Sequence, residues 1–313
     1  MSDSSILIEV VNQVVLGKPE SVELAVTCLL AGGHLLIEDV PGTGKTTLAR
    51  ALAAGLGGRY GRIQFTPDLL PSDITGTTVW DQGNGRFHFH EGPVFANVVV
   101  ADEINRASPK TQSALLEVMA ERTVTVDGET HVLAPPFFVV ATQNPIDMEG
   151  TYPLPEAQLD RFLMRIGLGT VSAEDELAVI QGHAAGRTVD RLAPVLNVQR
   201  VEAMCAEVSQ VIVRDPVARY AVDLARATRK HPAVRHGAST RATLALVQAG
   251  RARAYLKGNP FVTAEDLQWL LVPVFAHRLI LAPQAELDGK RAQDVIVEIM
   301  HMTPVPETSG AWV

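Results

Sequence analysis

A glycine-rich run near residue 40 has the composition needed to bind phosphate groups. Residues 38–50 read EDVPGTGKTTLAR. Gly42 and Gly44 let the backbone turn so that its N–H groups face an anion. The Lys45 ammonium can then neutralise phosphate oxygens, and the Thr46 hydroxyl can bind Mg²⁺. The run predicts a site for Mg-ATP formed by Asp39, Val40, Pro41, Gly42, Thr43, Gly44, Lys45, Thr46 and Thr47.

Asp39 departs from the usual spacing of such a loop. It stands where the pattern G-x-x-x-x-G-K-[ST] has its first glycine. That position is the one farthest from the phosphates. We therefore expect a different path of the chain into the loop and no loss of nucleotide binding.

Two carboxylates follow a second apolar run. Residues 98–101 read VVVA and lead directly into Asp102 and Glu103. A buried strand of this kind delivers its last side chains to the carboxyl edge of a parallel sheet, where ligands bind. Asp102 can hold Mg²⁺ through bound water, and Glu103 can act as general base toward the attacking water.

A third apolar run, residues 137–141, ends in Thr142-Gln143-Asn144. An amide at this edge could orient the attacking water or contact the γ-phosphate. The sequence has no Asn-Lys-x-Asp motif of the kind that reads guanine. Its absence favours ATP over GTP.

These motifs need a parallel sheet to position them. In the first half of the chain, short apolar runs suited to strands buried on both faces alternate with helical patterns. From about residue 192 only helical patterns follow. We predict a three-layer α/β domain with a five-stranded parallel sheet at 1–190, then a smaller all-α domain at 191–313. The predicted strands are 34–37, 62–65, 98–101, 137–141 and 164–168, and the predicted later helices are 198–210, 215–230, 239–256, 263–277 and 294–301.

Two hairpins interrupt the first domain. The strands at 123–126 and 129–133 flank Asp127-Gly128, and those at 77–80 and 86–90 flank Gly83-Asn84-Gly85. Neither hairpin is needed to bind a nucleotide, so both are candidate working parts. His88 and His90 share one face of a strand, and an exposed polar hairpin explains them better than a metal site does.

Composition argues against some classes of function. The chain has 313 residues, a net charge of -8 and a pI near 5.6, so a general nucleic-acid-binding surface is not expected. The two cysteines predict reduced, buried thiols, and we find neither a signal peptide nor a membrane-spanning run. We expect a cytoplasmic protein.

The order of these motifs resembles that of the AAA+ ATPases, and three segments resemble the MoxR family within them. The segments are ADEINRASPKTQSALLEVMAER at 101–122, ATQNPIDMEGTYPLPEAQLDRFLMRI at 141–166 and GASTRATLALVQAGRARAYLKG at 237–258. The Asp39 departure also occurs in that family. The resemblance implies a ring-forming motor, usually hexameric, with chaperone-like or metal-inserting roles and partners that often carry von Willebrand factor A domains.

The resemblance also implies roles for single polar residues. Asn144 would be the sensor 1 residue, and Arg241 would be sensor 2, reaching from the lid domain to the γ-phosphate. Arg161, in Leu-Asp-Arg-Phe, would be the arginine finger that enters a neighbouring subunit's site. Arg106 and Arg165 lie nearby and remain alternatives for that role.

Further positions follow from the same resemblance. Residues 14–17, including Val15 and Gly17, would lie near the adenine. The hairpin at 77–90 would be the helix-2 insert, and the hairpin at 123–133 would be the pre-sensor hairpin.

Three other functions compete with a chaperone-like motor that acts on a protein client. A nucleic-acid translocase would need basic or stacking groups, yet one hairpin carries Asp127 and Glu129 without Lys or Arg, and the other offers only Arg86. A nucleotide-sensing scaffold would not need an intact catalytic set. A metal-chelatase motor subunit has a similar architecture and differs in its partner. The protein-remodelling motor remains our leading hypothesis.

Overall fold

The computed structural model describes residues 2–40, 42–83, 85–144, 151–184 and 188–306. Their contacts divide the chain into two compact units. The first comprises Met1–Phe162 and Ile166–Met204, and the second comprises Leu163–Arg165 and Cys205–Val313. Each unit has buried apolar side chains of its own.

The strands within the described residues are numbered in chain order. They are β1 (Leu35–Glu38), β2 (Tyr60–Gln64), β3 (Gly76–Asp81), β4 (Arg86–Glu91), β5 (Val98–Asp102), β6 (Thr123–Val126), β7 (Glu129–Val132), β8 (Phe138–Gln143), β9 (Met164–Ile166), β10 (Val234–His236) and β11 (Ile280–Leu281).

The helices are numbered in the same way. They are α1 (Asp3–Asn12), α2 (Pro19–Leu30), α3 (Lys45–Gly55), α4 (Pro71–Thr75), α5 (Pro109–Glu121), α6 (Glu156–Leu159), α7 (Ala173–Ala184), α8 (Val198–Ser209), α9 (Asp215–Lys230), α10 (Thr240–Leu256), α11 (Ala264–Phe275), α12 (Pro283–Leu287) and α13 (Ala292–Met302).

A five-stranded sheet in the order β2-β5-β8-β1-β9 confirms the predicted α/β architecture. The interior strand β5 is buried along its whole length, as expected for an apolar strand with helices on both faces. Parallel pairing sets Gln64 opposite Asp102 and Glu38 opposite Gln143. Polar side chains therefore meet at one edge of the sheet, directly after the apolar part of each strand.

Both predicted hairpins form. In the β6–β7 hairpin, Asp127 and Gly128 have φ of 51° and 84°, the left-handed backbone that a tight two-residue turn requires. In the β3–β4 hairpin, Val79 pairs with His88 and Thr77 with His90. Asn84, in the turn of that hairpin, lies outside the described residues.

The second unit is a helical domain in which N-capping residues of helices can be recognised in the sequence. Thr263 caps α11, and Asp266 at the third helical position bonds back to the Thr263 N–H, which completes a capping box. The predicted all-α description missed a short antiparallel pairing of β10 with β11. Strands of three and two residues are too short to leave an alternating apolar pattern.

The contact boundary between the units falls between Met204 and Cys205, later than the predicted boundary at 190. The intervening residues bind the first unit. Val195 donates its N–H to the Gly55 carbonyl at 2.9 Å. Arg200, already within α8, pairs with Asp3 at 2.6 Å. The pattern of apolar residues in a helix does not show which of the two units that helix packs against.

The cysteines differ in burial. Neither forms a disulfide, but only Cys28 is buried, while Cys205 is half-exposed. The expectation of two buried thiols was therefore wrong for Cys205.

His34 links the sheet to a helix inside the first unit. Its Nδ1 accepts the Val139 N–H at 3.0 Å, so the proton of the neutral ring lies on Nε2, which donates to the Met119 carbonyl at 3.2 Å. Burial lowers the pKa of His34 from 6.5 to about 4, although the Met119 carbonyl favours the charged form. The folded protein therefore holds His34 neutral.

The low pKa of His34 predicts an acid-sensitive contribution to stability. His34 takes up a proton below about pH 6.5 in the unfolded chain but only near pH 4 in the folded chain. The contribution of the neutral ring to stability is therefore complete above pH 6.5 and is lost as the pH falls from 6.5 to about 4. The expected loss is about 2 kcal/mol near pH 5. His34→Gln removes the titration, so its stability deficit relative to the parent should shrink on acidification.

Urea unfolding of both proteins at neutral and mildly acidic pH measures this deficit. His301→Gln, at an exposed histidine, serves as the control for the loss of an imidazole. A His34→Gln deficit that stays constant with pH would contradict the assignment of a neutral buried ring.

Candidate active site

The glycine-rich loop connects β1 to α3, as the sequence predicts. Gly42 and Gly44 have φ of 86° and 92°, a left-handed backbone that favours glycine. Space next to both glycines is open, since a Cβ added at either would meet nothing within 4 Å. Helix α3 begins directly after Gly44, so its free N–H groups face the loop. Pro41 lies outside the described residues.

Asp39 fastens the start of the loop to the chain that follows β9. Its Oδ2 accepts the N–H groups of Leu168 at 2.8 Å and Gly169 at 2.6 Å, and its Oδ1 accepts the Val40 N–H at 2.7 Å. Lys18 holds the same segment from its other side, donating to the carbonyls of Gly169 and Thr170 at 2.7 Å each. A glycine at position 39 could not make these bonds.

Lys45 lies among acidic groups. Its Nζ donates to the main-chain carbonyl of Asp39 at 2.6 Å. Burial lowers the pKa of Lys45, and the carboxylates of Asp39, Asp102 and Glu103 oppose that shift. The ammonium is thus partly removed from water. Its attraction for a phosphate is stronger in that less polar environment than in bulk water.

Asp102 is buried, with 6% of its surface exposed, and is held by three neighbouring elements. Arg62 of β2 donates to Oδ2 at 2.9 Å. The hydroxyls of Thr46, in α3, and Thr142, in β8, both point to Oδ1 at 3.4 Å. A buried carboxylate beside a threonine hydroxyl is an oxygen donor set that suits Mg²⁺.

Glu103 adopts a left-handed backbone with φ of 55°, which is unusual for a side chain of this type. Its N–H donates to the Thr142 hydroxyl at 2.9 Å, which holds the turn in place. Its Oε2 accepts bonds from Arg106 at 2.9 Å and from Gln64 at 3.3 Å. Arg106, considered above as an arginine finger, therefore engages Glu103 of its own chain.

Arg62, Gln64 and Thr142 are the neighbours of the acidic pair that sequence reasoning missed. Arg62 and Gln64 alternate on β2, so they share a face next to the end of β5. The polar alternation in YGRIQ was visible, but only the register between β2 and β5 shows that both side chains reach the carboxylates. The register between β5 and β8 likewise shows that Thr142 lies next to the end of β5.

The remaining predicted site residues occupy several elements. Asn144 follows β8, and its carbonyl accepts a bond from Asn105 at 3.4 Å. Val15 is buried near the start of the chain, and Gly17 has φ of 70°. Arg161 follows α6 and is exposed, and Arg241 lies in the first turn of α10 in the second unit. The structure brings Lys45, Thr46, Asp102 and Glu103 together, whereas the roles of these other five residues stay predictions.

The family follows from comparison with known proteins. Residues 34–164 match the ATPase family associated with various cellular activities (AAA), and residues 226–299 match the AAA lid domain. Chaperone MoxR1 of Mycobacterium tuberculosis is 39% identical over 309 residues, which covers 96% of this chain and 81% of MoxR1. The chain belongs to the MoxR family of AAA+ ATPases.

Other relatives extend the match across both units. The uncharacterized protein YeaC of Bacillus subtilis is 46% identical over 304 residues, covering 97% of this chain and 95% of YeaC. The crystal structure of a candidate ATPase from Cytophaga hutchinsonii superimposes with a TM-score of 0.91 at 36% identity, covering 97% and 95% of the two chains. These matches confirm a MoxR-type AAA+ domain followed by a helical lid.

Two features bear on the wider classes of function. In the part of the chain that the structure describes, no helix has the length and apolar character needed to cross a membrane. His88 and His90 lie 5.2 Å apart between ring centroids, and no group of three or more potential metal ligands is found among the described residues.

The bonds of Asp39 predict a contribution to stability that is separate from nucleotide binding. Asp39→Ala leaves the N–H groups of Leu168 and Gly169 without their acceptor, which should cost about 1–3 kcal/mol. ATP affinity should stay close to that of the parent. Thermal and urea unfolding test the first expectation, and a fluorescent nucleotide titration tests the second.

Asp68→Ala is the matched control, because Asp68 is exposed in the same unit. If Asp39→Ala is as stable as Asp68→Ala, the hydrogen bonds of Asp39 with Leu168 and Gly169 do not stabilise the fold.

Proposed function

We propose that this MoxR-family chain hydrolyses Mg-ATP and uses the cycle to remodel a protein client. The observation that carries the proposal is the meeting of the loop and the acidic strand end. Thr46 and Asp102 lie 3.4 Å apart, and Glu103 follows Asp102 immediately. A phosphate-binding loop, a metal-suited oxygen pair and a candidate base therefore share one edge of the sheet.

The chain's own residues divide the work of hydrolysis. Main-chain N–H groups of the loop and the Lys45 ammonium bind the phosphates. Thr46 and Asp102 would hold Mg²⁺, which would supply positive charge to neutralise the phosphate oxygens. Glu103 accepts a proton from the attacking water.

Oε2 of Glu103 cannot accept a proton while both of its neighbours donate to it. Arg106 and Gln64 each donate a hydrogen bond to Oε2 and so occupy its lone pairs. The other carboxylate oxygen, or a rearranged Arg106, must face the water during turnover. These two side chains thus determine which oxygen of Glu103 is open to the water.

A ring of identical subunits, most simply a hexamer, would complete the site. Arg161 is exposed, and the described residues give its side chain neither a hydrogen bond nor an ion pair. It is available to reach the γ-phosphate bound by an adjacent chain, where a guanidinium stabilises the charge that develops. Asn144 would orient the water, and Arg241 would report on the nucleotide from the lid.

A protein client is favoured over nucleic acid by charge. The chain carries a net charge of -8, and the β6–β7 turn presents Asp127 and Glu129. Phosphate backbones would be repelled there. The name chaperone given to MoxR1 also fits a protein client. A partner with a von Willebrand factor A domain and a cytoplasmic location are further parts of this proposal, and a metal-chelatase-type motor subunit is its alternative.

Substitutions in the loop and at the acidic pair separate binding from turnover. Lys45→Ala should abolish ATP binding, because a charge-assisted contact to the phosphates is lost. Glu103→Gln should keep binding and lose most turnover, since an amide cannot accept the proton. Nucleotide affinity and steady-state phosphate release measure the two effects.

Glu121→Gln removes one exposed carboxylate from the end of α5 and should behave like the parent. Hydrolysis by Glu103→Gln at the parent rate would refute the assignment of Glu103 as base. Binding without turnover in the parent itself would instead identify a nucleotide-sensing scaffold.

A further inference from the structure

The two hairpins of the first unit enclose a cavity away from the nucleotide loop. Its volume is about 410 Å³, and its walls come from β3, β4, β6 and β7. Three aromatic rings, Phe87, Phe89 and His131, line it together with the carboxylates of Asp127 and Glu129. Neither nucleotide binding nor hydrolysis, as described above, uses this cavity.

The aromatic wall is built by contacts across the two hairpins. Phe89 of β4 stacks on His131 of β7, with ring centroids 4.2 Å apart and an interplanar angle of 11°. Phe95 packs edge-on against Phe89 at 5.6 Å. Phe87 remains 69% exposed and meets Trp80 edge to face at 5.0 Å. The Phe87 ring is thus exposed at a position that packing against Trp80 already fixes.

The acidic side of the cavity has no internal counter-charge. Among the described residues, neither Asp127 nor Glu129 forms an ion pair, and no lysine or arginine lines the cavity. Asp127 is fixed by its left-handed turn position, and Glu129 begins β7. Two carboxylates therefore face a space that is walled by aromatic rings.

We propose that this cavity binds the cationic side chain of a lysine or arginine in an extended segment of the client. An aromatic face attracts an ammonium or guanidinium through its quadrupole, and the two carboxylates neutralise the charge. The methylene stem of either side chain packs on the rings. This inference deepens the proposed function and rests on it, because it specifies which client segments the motor holds.

The test compares peptides that differ only in charge. Short Gly-Ser peptides carry lysine, arginine or glutamine at the same positions, and a single-stranded oligonucleotide is a further ligand. Each is titrated against the full chain with a non-hydrolysable ATP analogue, and binding is followed by anisotropy. The lysine and arginine peptides should bind more tightly than the glutamine peptide, and added salt should weaken the binding of these two basic peptides.

The double substitution Asp127→Asn with Glu129→Gln removes the charge and keeps the turn, because asparagine tolerates a left-handed backbone. It should weaken binding of the basic peptides by roughly tenfold. Phe87→Leu, which removes an exposed ring and keeps an apolar group, should weaken them by about threefold. The control is Glu117→Gln with Glu121→Gln, an equal change in charge on the exposed surface of α5.

Thermal midpoints equal to the parent value show that the variants are folded. Equal affinity for lysine and glutamine peptides overturns the inference, and so does an equal loss in the α5 control. Tighter binding of the oligonucleotide than of the basic peptides also overturns it and indicates a nucleic-acid ligand. The proposed ATPase function is judged separately by turnover in Glu103→Gln, so the two failures are distinguishable.

Discussion

The buried carboxylate of Asp102 is the constraint on which the rest of the site depends. A charge at that depth is costly unless it is hydrogen-bonded and paired. Arg62 of β2, Thr46 of α3 and Thr142 of β8 supply those partners. The requirement to satisfy one carboxylate therefore fixes two strands and the helix of the glycine-rich loop relative to β5. The same geometry delivers the next residue, Glu103, to the edge of the sheet.

Two further ties extend this arrangement along the first unit. Asp39 joins the start of the loop to the chain after β9, and Lys18 joins that chain to the segment before α2. The loop is thus connected to the region that the MoxR resemblance places near the adenine. Gln64 and Arg106 connect Glu103 to β2 and to the turn after β5. Since β2 leads through α4 into the β3–β4 hairpin, the hydrogen bond from Gln64 links Glu103 to the chain that continues into that hairpin.

Much of this could be predicted from the sequence, because the strongest signals are local. The five strands have distinct apolar runs, the loop has fixed spacing, and Asp127-Gly128 specifies its turn without help from distant residues. The contacts of Asp39, Arg62 and Gln64 could not be predicted, because each depends on which strands are neighbours and in what register. The division between the units shifted for the same reason, since the chain leading into α8 looks like part of the lid until the bonds of Val195 to Gly55 and of Arg200 to Asp3 are known.

The proposed function requires an ATPase site that is shared between neighbouring chains. The most direct measurement is ATP turnover in a mixture of Arg161→Ala and Glu103→Gln proteins under conditions of subunit exchange, compared with each protein alone. Each protein alone should be nearly inactive. In the mixture, some sites combine the intact Glu103 of an Arg161→Ala subunit with the intact Arg161 of a Glu103→Gln neighbour. Activity should reappear at those sites. If mass measurement confirms mixed oligomers and no activity returns, Arg161 does not act on a neighbouring site, and the shared catalytic ring is contradicted.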